Sequence, residues 1–486
     1  MSNLKILLIS PPYARFMGVE NCRFPITFGS MSTILSQDKY DVAIYDADFD
    51  VNLIGKTIDY ETSFLNQSKI QKALLDSNHY VWKEIEQTVR NFEPDVVGIT
   101  TMTSKFPMAI RIAEIAKRLD PEIKVVIGGH HSTILGPTLV QNENLDFAVI
   151  GEGEETFREL IQQMGQLKPE YSSIRGLIYK ENGSIISTQP RGLIEDLDVL
   201  PIADRDLILN DNYISENNIM ISRGCPFNCS YCGAQVIWGR KVRKRSVNNV
   251  VKEIEYLLQH SSSRNISFWD DSFTCDRKYT QELMCELKKI DGLKFSCITR
   301  LDLIDKDILT QLKEAGCSQI LFGIESGNNK ILKLMDKKMD CEFIKKQISL
   351  VKSVDIPWLG FFIMGYPGET KENILETLSF MKELNPTYAE INIFSPLPGT
   401  KIWDDLAAKG KINQTMDFSR FSQSSTDDCF TVGTMTKNEF KELALYMARE
   451  FDKHNRRRNK RNILKNQLCK LLSYGKRVAR KVIAKK

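Results

Sequence analysis

Five short apolar runs recur through the first 150 residues, at 5–10 (KILLIS), 41–45, 96–100, 124–127 and 147–150. Amphipathic stretches separate them, for example 108–119 (MAIRIAEIAKRL), with apolar residues at helical spacing. Strand–helix alternation at this pitch predicts a parallel sheet with helices on both faces, a doubly wound, Rossmann-like α/β unit. Ligands of such sheets lie beyond the carboxyl ends of the strands. The loops there read Ser10-Pro11-Pro12-Tyr13, Thr101-Met102-Thr103, Gly128-Gly129 and Gly151-Glu152-Gly153. Glycine pairs let a backbone approach a flat or phosphate-bearing ligand closely. Turn glycines also follow most parallel strands, so these loops alone do not name a ligand.

With 486 residues, the chain is long enough for two or three packed units. Hydrophobic residues at 42% and charged residues at 26% exclude wholesale disorder. Residues 176–187 read as a β-hairpin around Asn182-Gly183, inside a connector that runs to about residue 210. The longest nearly apolar stretch, 356–367, is broken by Gly and Pro, and it is shorter than the ~18 residues of a membrane span. The N-terminus has no small-residue cleavage site. Eleven cysteines are too few for a disulfide scaffold of this size. These features place the chain in a reducing cytoplasm, with its cysteines as ligands or buried thiols.

Three of those cysteines stand apart. Cys225, Cys229 and Cys232 follow the apolar run 219–221 with C-x-x-x-C-x-x-C spacing. Three thiolates on one short loop can converge on an iron–sulfur cube, whose fourth iron is then free for another ligand. The alternative is zinc, which usually has paired Cys/His sets with the fourth ligand nearby. The first His after the loop is His260, far down the chain.

This loop, with Tyr231 ahead of its last cysteine, resembles that of the radical S-adenosylmethionine (SAM) enzymes. The likeness continues through 266–273 (ISFWDDSF), 297–303 (CITRLDL), 316–327 (GCSQILFGIESG), 360–370 (GFFIMGYPGET) and 395–400 (SPLPGT), in the order of the family's barrel. The preceding unit is similar to the cobalamin-binding module of one large subgroup, joined through a segment like 146–160 (DFAVIGEGEETFREL). The resemblance implies a cobalamin-binding domain at 1–165, a linker with the hairpin at 166–210 and a partial (β/α) TIM-like barrel at 211–405. A helical region with a basic tail occupies 406–486.

Several roles follow from the resemblance. Cys225, Cys229 and Cys232 would each bind one iron of a 4Fe-4S cluster, and SAM would chelate the fourth. Reductive cleavage of SAM would then give methionine and a 5′-deoxyadenosyl radical. Asp270, Asp271, Arg300 and Glu325 would lie at the SAM end of the barrel, although Asp270 and Asp271 also read as an N-cap pair for a helix at 279–289. Gly365, Pro367 and Gly368 fit either a ligand contact or a plain tight turn. Thr101, Thr103, Gly128 and Gly129 resemble segments flanking cobalamin's nucleotide tail. Many cobalamin domains place a D-x-H-x-x-G histidine below cobalt; here the loop reads SPPYARF, so no imidazole from it is expected there. His130 and His131 read as hydrogen-bonded neighbours rather than ligands.

The implied activity is methyl transfer to an unactivated carbon (or phosphorus) of a lipid or natural product. A cyclisation, ring rearrangement or carbon–carbon coupling is the alternative. An electron donor such as flavodoxin or ferredoxin would serve as partner. Only Cys22 among the remaining eight cysteines precedes the loop, which argues against the related methylthiotransferases with a second N-terminal cluster. From Lys453 onward there are 14 Lys and Arg and no Asp or Glu, so the net +4 divides into +14 in the tail and −10 elsewhere. Apolar residues such as Ile463, Leu464, Leu468, Leu471 and Leu472 recur there at helical spacing. A basic amphipathic tail reads as peripheral contact with anionic lipid at the inner face of the membrane. Only Tyr474 interleaves it with an aromatic, so no nucleic acid is expected.

Overall fold

The computed structural model describes residues 4–261, 263–426 and 434–459. Cys429, Cys469 and most of the basic tail lie outside the described residues. The first sheet holds β1 (Lys5–Ser10), β2 (Asp41–Asp46), β3 (Val96–Thr100), β4 (Lys124–Gly128), β5 (Phe147–Val149), β6 (Leu177–Glu181) and β7 (Ser184–Ser187). Their spatial order is β2-β1-β3-β4-β5-β6-β7. The first five are parallel, and the last two join antiparallel. Four residues of β1, Ile6 to Ile9, are fully buried, as expected of a strand covered on both faces.

The hairpin expected within the linker is thus part of the sheet. Leu177, Ile178 and Tyr179 pair with β5 and are themselves buried. β5 would otherwise leave a buried edge with unpaired backbone groups.

The second sheet begins at β8 (Asn217–Ile219). A short antiparallel ribbon follows, formed by β9 (Ser222–Arg223) and β10 (Arg243–Lys244). Then come β11 (Asn265–Phe268), β12 (Lys294–Thr299), β13 (Cys317–Glu325), β14 (Trp358–Met364) and β15 (Tyr388–Ile393). Six strands pair in parallel in the order β15-β14-β13-β12-β11-β8, with helices in the connections: a partial barrel. Burial alternates along β12 and β15 with period two. One side is packed under helices, while Ser296, Ile298, Glu390 and Asn392 on the concave side are only half-buried.

The barrel's last edge is closed by helix Lys437–Asn459. Asn455 pairs with both backbone groups of Ala389, receiving its N–H at 2.9 Å and donating to its carbonyl at 2.8 Å. Asp452 of the same helix accepts from the backbone of Tyr60 and Glu61, at the start of helix Tyr60–Leu75. No described helix is long and apolar enough to cross a membrane.

Asp46, at the end of β2, is wholly buried and accepts from the Tyr213 hydroxyl at 3.0 Å. Burial first, then the Asp48 carboxylate, pushes it up from 3.8 to about 7. A buried acid of this kind holds its proton in the folded chain after the unfolded chain has lost it. Its contribution therefore lowers stability as pH rises from about 4 to about 7, by up to about 4 kcal/mol, and is constant above that. Asp46→Asn should remove this slope. Urea midpoints taken from about pH 5 to about pH 8 should fall less in the variant than in the parent; equal slopes would contradict the assignment.

Candidate active site

The carboxyl ends of the two sheets face one another. Tyr231, Ile363, Tyr366 and Phe394 of the barrel share one apolar core with Ile99 and Ile127 of the first sheet and Leu135 of the helix that follows β4. The cysteine loop lies at this junction. Gly224 opens it with φ of +111°, and a Cβ there would run into the Lys241 carbonyl of the β10 side. A side chain at 224 would therefore push the ribbon apart.

Cys229 is buried, and Cys225 and Cys232 are partly so. The Cys232 N–H donates to the Cys229 carbonyl at 3.2 Å, which curls the C-x-x-C end. Burial pushes the Cys225 thiol up and the Cys232 thiol to about 12, with Asp271 and the other thiols adding to it. Such thiols give up protons when iron binds. Among the described residues no three His, Cys, Asp or Glu side chains converge as a mononuclear metal requires. A cubane makes no such demand, because each thiolate binds a different iron.

Arg300 closes the loop from the end of β12. Its guanidinium lies 3.7 Å from the centre of the Phe227 ring. It donates to Cys229 Sγ at 3.5 Å, to both Asp302 oxygens and to the Lys337 carbonyl. A fixed positive charge beside a cluster sulfur favours the reduced cluster.

Glu325 ends β13 at φ +66°, where the β13–β14 register slips. A non-glycine residue there is strained, a state that surrounding structure has to enforce. Its carboxylate pairs with buried Lys337 at 2.8 Å, and burial together with that carboxylate pushes the Tyr231 hydroxyl up. Asp271 is exposed and close enough to Cys225 and Cys232 to raise both thiols.

Asp270 is placed differently from the expectation. It is 1% exposed and accepts from Ile221 N, Ser222 N and Ser222 Oγ, the last two at 2.6 Å. Its oxygens face the strand that leads into the cysteine loop, so it supports that loop from behind. Nor do Asp270 and Asp271 cap a helix. The helix is Arg277–Leu287, and Asp276 is its N-cap, receiving Tyr279 N at 3.0 Å.

The 365–369 turn also supports the loop. Glu369 accepts from Gly365 N at 2.5 Å and Tyr366 N at 3.1 Å. The Tyr366 hydroxyl then sits 2.8 Å from Ser230 Oγ, between Cys229 and Tyr231.

On the first sheet, Thr101, Thr103, Gly128 and Gly129 come together at the ends of β3 and β4. Gly129 has φ of +99°, and a Cβ there would lie 2.8 Å from the Thr101 carbonyl. The two backbones are pressed together in a way only glycine permits. Thr101 and Thr103 are buried. His131 is fully buried between the rings of Phe106 and Phe418 (4.6 and 4.7 Å). Its Nδ1 lies 3.3 Å from Thr103 Oγ1, its Nε2 has no partner, and burial lowers its pKa to about 4. His130 meets the edge of Trp238. The Ser10–Phe16 loop is tied instead by Asp48, which accepts from Tyr13 N and Arg15 N.

Donor chemistry and placement therefore fit both groups. Three thiols and a neighbouring guanidinium suit an iron–sulfur cube, and a glycine-lined strand end with an orphaned imidazole nitrogen suits a large polar cofactor. Two residues of the site carry no sequence signal of their own: Lys337 belongs to no motif, and Arg223, two residues before Cys225, has no spacing that marks it.

A chain that joins a cluster loop to a cofactor-binding sheet, mouth to mouth, is a two-cofactor enzyme. Residues 219–381 match the Radical SAM superfamily and residues 19–161 match the B12 binding domain. An uncharacterized methyltransferase of Pyrococcus horikoshii is 34% identical over 70% of this chain and 75% of its own length. The cytidylyl-2-hydroxyethylphosphonate methyltransferase of Streptomyces wedmorensis is 25% identical over 92% of this chain and 90% of its own. The radical SAM methyltransferase TsrM of Kitasatospora setae, solved with tryptophan substrate and a SAM analogue, covers 91% of this chain and 88% of that one. Its TM-score is 0.69 at 16% identity. The chain belongs to the cobalamin-dependent radical SAM enzymes, in their methyltransferase group. Its cofactors are a 4Fe-4S cluster, SAM and cobalamin.

Proposed function

We propose that this enzyme methylates an unactivated carbon (or phosphorus) of a small molecule bound between the two sheets, with Cys225, Cys229 and Cys232 as cluster ligands. The observation that carries this reading is the opposition of the cysteine loop and the Thr101–Gly129 strand ends across one junction. When bound, the reduced cluster supplies the electron that cleaves SAM, and cobalamin supplies a cobalt that can carry a methyl group.

The chain's own residues do the rest. Arg300 and Phe227 hold the Cys229 side of the loop, while Asp270 and Tyr366 brace it from behind. Glu325 and Asp271 present carboxylates at the mouth, where the amino or ribose groups of SAM would be held. Thr101, Thr103, Gly128 and Gly129 would receive the cobalamin tail.

The half-buried concave face supplies the substrate's surroundings. Glu390 there has Asn392 as a hydrogen-bond partner at 3.3 Å, and burial raises its carboxyl. A deep polar pair of this kind suits a substrate with hydroxyl or amino groups better than a bare hydrocarbon. Flavodoxin or ferredoxin as electron donor, a cytoplasmic location and membrane contact through the tail belong to the same proposal.

Product analysis tests it. Under anaerobic reduction, methyl transfer yields S-adenosylhomocysteine together with 5′-deoxyadenosine. The deoxynucleoside alone would favour cyclisation, ring rearrangement or carbon–carbon coupling and would overturn methyl transfer.

A further inference from the structure

We propose that Glu152, on the cobalamin-domain loop after β5, is a positioning residue for the iron–sulfur cluster. The ribbon that leads into the cysteine loop pairs Arg223 directly with Arg243. Like charges opposite one another on two strands repel. Here both guanidiniums are also withdrawn from water, with side chains 14% and 1% exposed.

Glu152, whose side chain is 1% exposed, lies between them. Its Oε1 receives Arg223 Nη1 at 2.7 Å and Arg243 Nη1 at 2.9 Å. Its Oε2 receives Arg243 Nη1 at 2.8 Å and the backbone N–H of Ile194 at 2.6 Å. Glu154 takes the other arm of Arg223 at 2.6 Å. Burial would raise the Glu152 carboxyl, but Arg243 and Arg223 hold it below its ordinary value.

A carboxylate from one domain is thus the charge that lets the other domain's ribbon close, two residues from the first cluster ligand. The cluster loop of the barrel is complete only when the cobalamin domain is docked. Glu152 does not reach the reacting atoms; it acts through Arg223 and the backbone of the loop.

The test uses the full chain, reconstituted anaerobically with iron and sulfide and loaded with hydroxocobalamin. Glu152→Gln keeps the shape and removes the charge. Iron per chain is expected to fall by about half or more. The potential of the remaining cluster should become less negative, because the uncompensated guanidiniums favour the reduced state. Cobalamin retention should change less than about threefold, since the Thr101–Gly129 strand ends are untouched. A full iron complement with an unshifted potential would overturn the proposal.

If Glu152→Gln does not fold, as judged by loss of cobalamin, the double variant Glu152→Met/Arg243→Met decides. It replaces the buried pair by apolar side chains, a change that is often tolerated. Recovery of cobalamin and iron together supports the proposal. Failure to recover iron contradicts it. Methyl transfer can fail without affecting any of these readouts, which depend only on the cluster and the cofactor.

Discussion

Replacing any one of Cys225, Cys229 and Cys232 by alanine should leave the chain folded and cobalamin-loaded but without SAM cleavage. Cys229 lies under Arg300 at 3.5 Å, and Cys232 is tied by its N–H to the Cys229 carbonyl. Of the other described cysteines, Cys297 and Cys317 belong to strands of the barrel, while Cys275 lies in the connection between β11 and helix Arg277–Leu287, near enough to Cys225 for that thiol to raise its own. Removing one of the three should leave one iron corner without its loop thiolate. The expected fall in 5′-deoxyadenosine is at least about a thousandfold, because residues that act as a unit lose nearly everything singly. Iron content and the visible absorbance of the reconstituted protein would report the cause. A variant that kept both iron and cleavage would remove that cysteine from the ligand set.

A large loss of stability is expected from Lys337→Met. Lys337 and Glu325 are buried partners, with side chains 5% and 9% exposed, and Glu325 is held at positive φ on a slipped strand end. Without the ammonium, a carboxylate is left unpaired in a dry site, which costs about 3–5 kcal/mol. Adding Glu325→Gln removes the orphaned charge, so the double variant should recover much of the lost stability. SAM affinity should then separate the two roles. The double variant would be stable yet bind SAM weakly if Glu325 holds SAM, and would bind it normally if Glu325 only braces Tyr231. Chemical denaturation of the three variants measures the first effect. A Lys337→Met cost below about 1 kcal/mol would contradict the buried pair.

Much of this fold was legible in the sequence for a simple reason. Parallel strands covered on both faces are nearly continuous apolar runs, so 5–10, 96–100 and 124–127 were visible without any partner information. The cysteine loop was legible because its pattern is local, three cysteines within eight residues. The misplacements share the opposite cause. The 176–187 hairpin announces its own turn but not the sheet that receives it, so it read as linker rather than as β6 and β7. Asp270 sits at a strand end where the family presents SAM contacts, yet its direction is set by Ile221 and Ser222, nearly 50 residues earlier. Glu325 and Lys337 meet through a short helix, Asn329–Leu334, and a turn with Asp336 and Lys338 at positive φ, a path that periodicity does not reveal. Glu152 was visible only as the middle of a glycine-flanked loop. Its partners are two arginines of another domain, and no local pattern links them.

One chain is expected to hold an iron–sulfur cluster and cobalamin mouth to mouth. Anaerobic reconstitution of the whole chain with iron, sulfide and hydroxocobalamin, followed by desalting, tests it most directly. About four irons and about one cobalamin should be retained per chain, with the cluster lost in the Cys229→Ala variant and the cobalamin kept. A chain that bound its cluster but let all cobalamin pass through the column would contradict it.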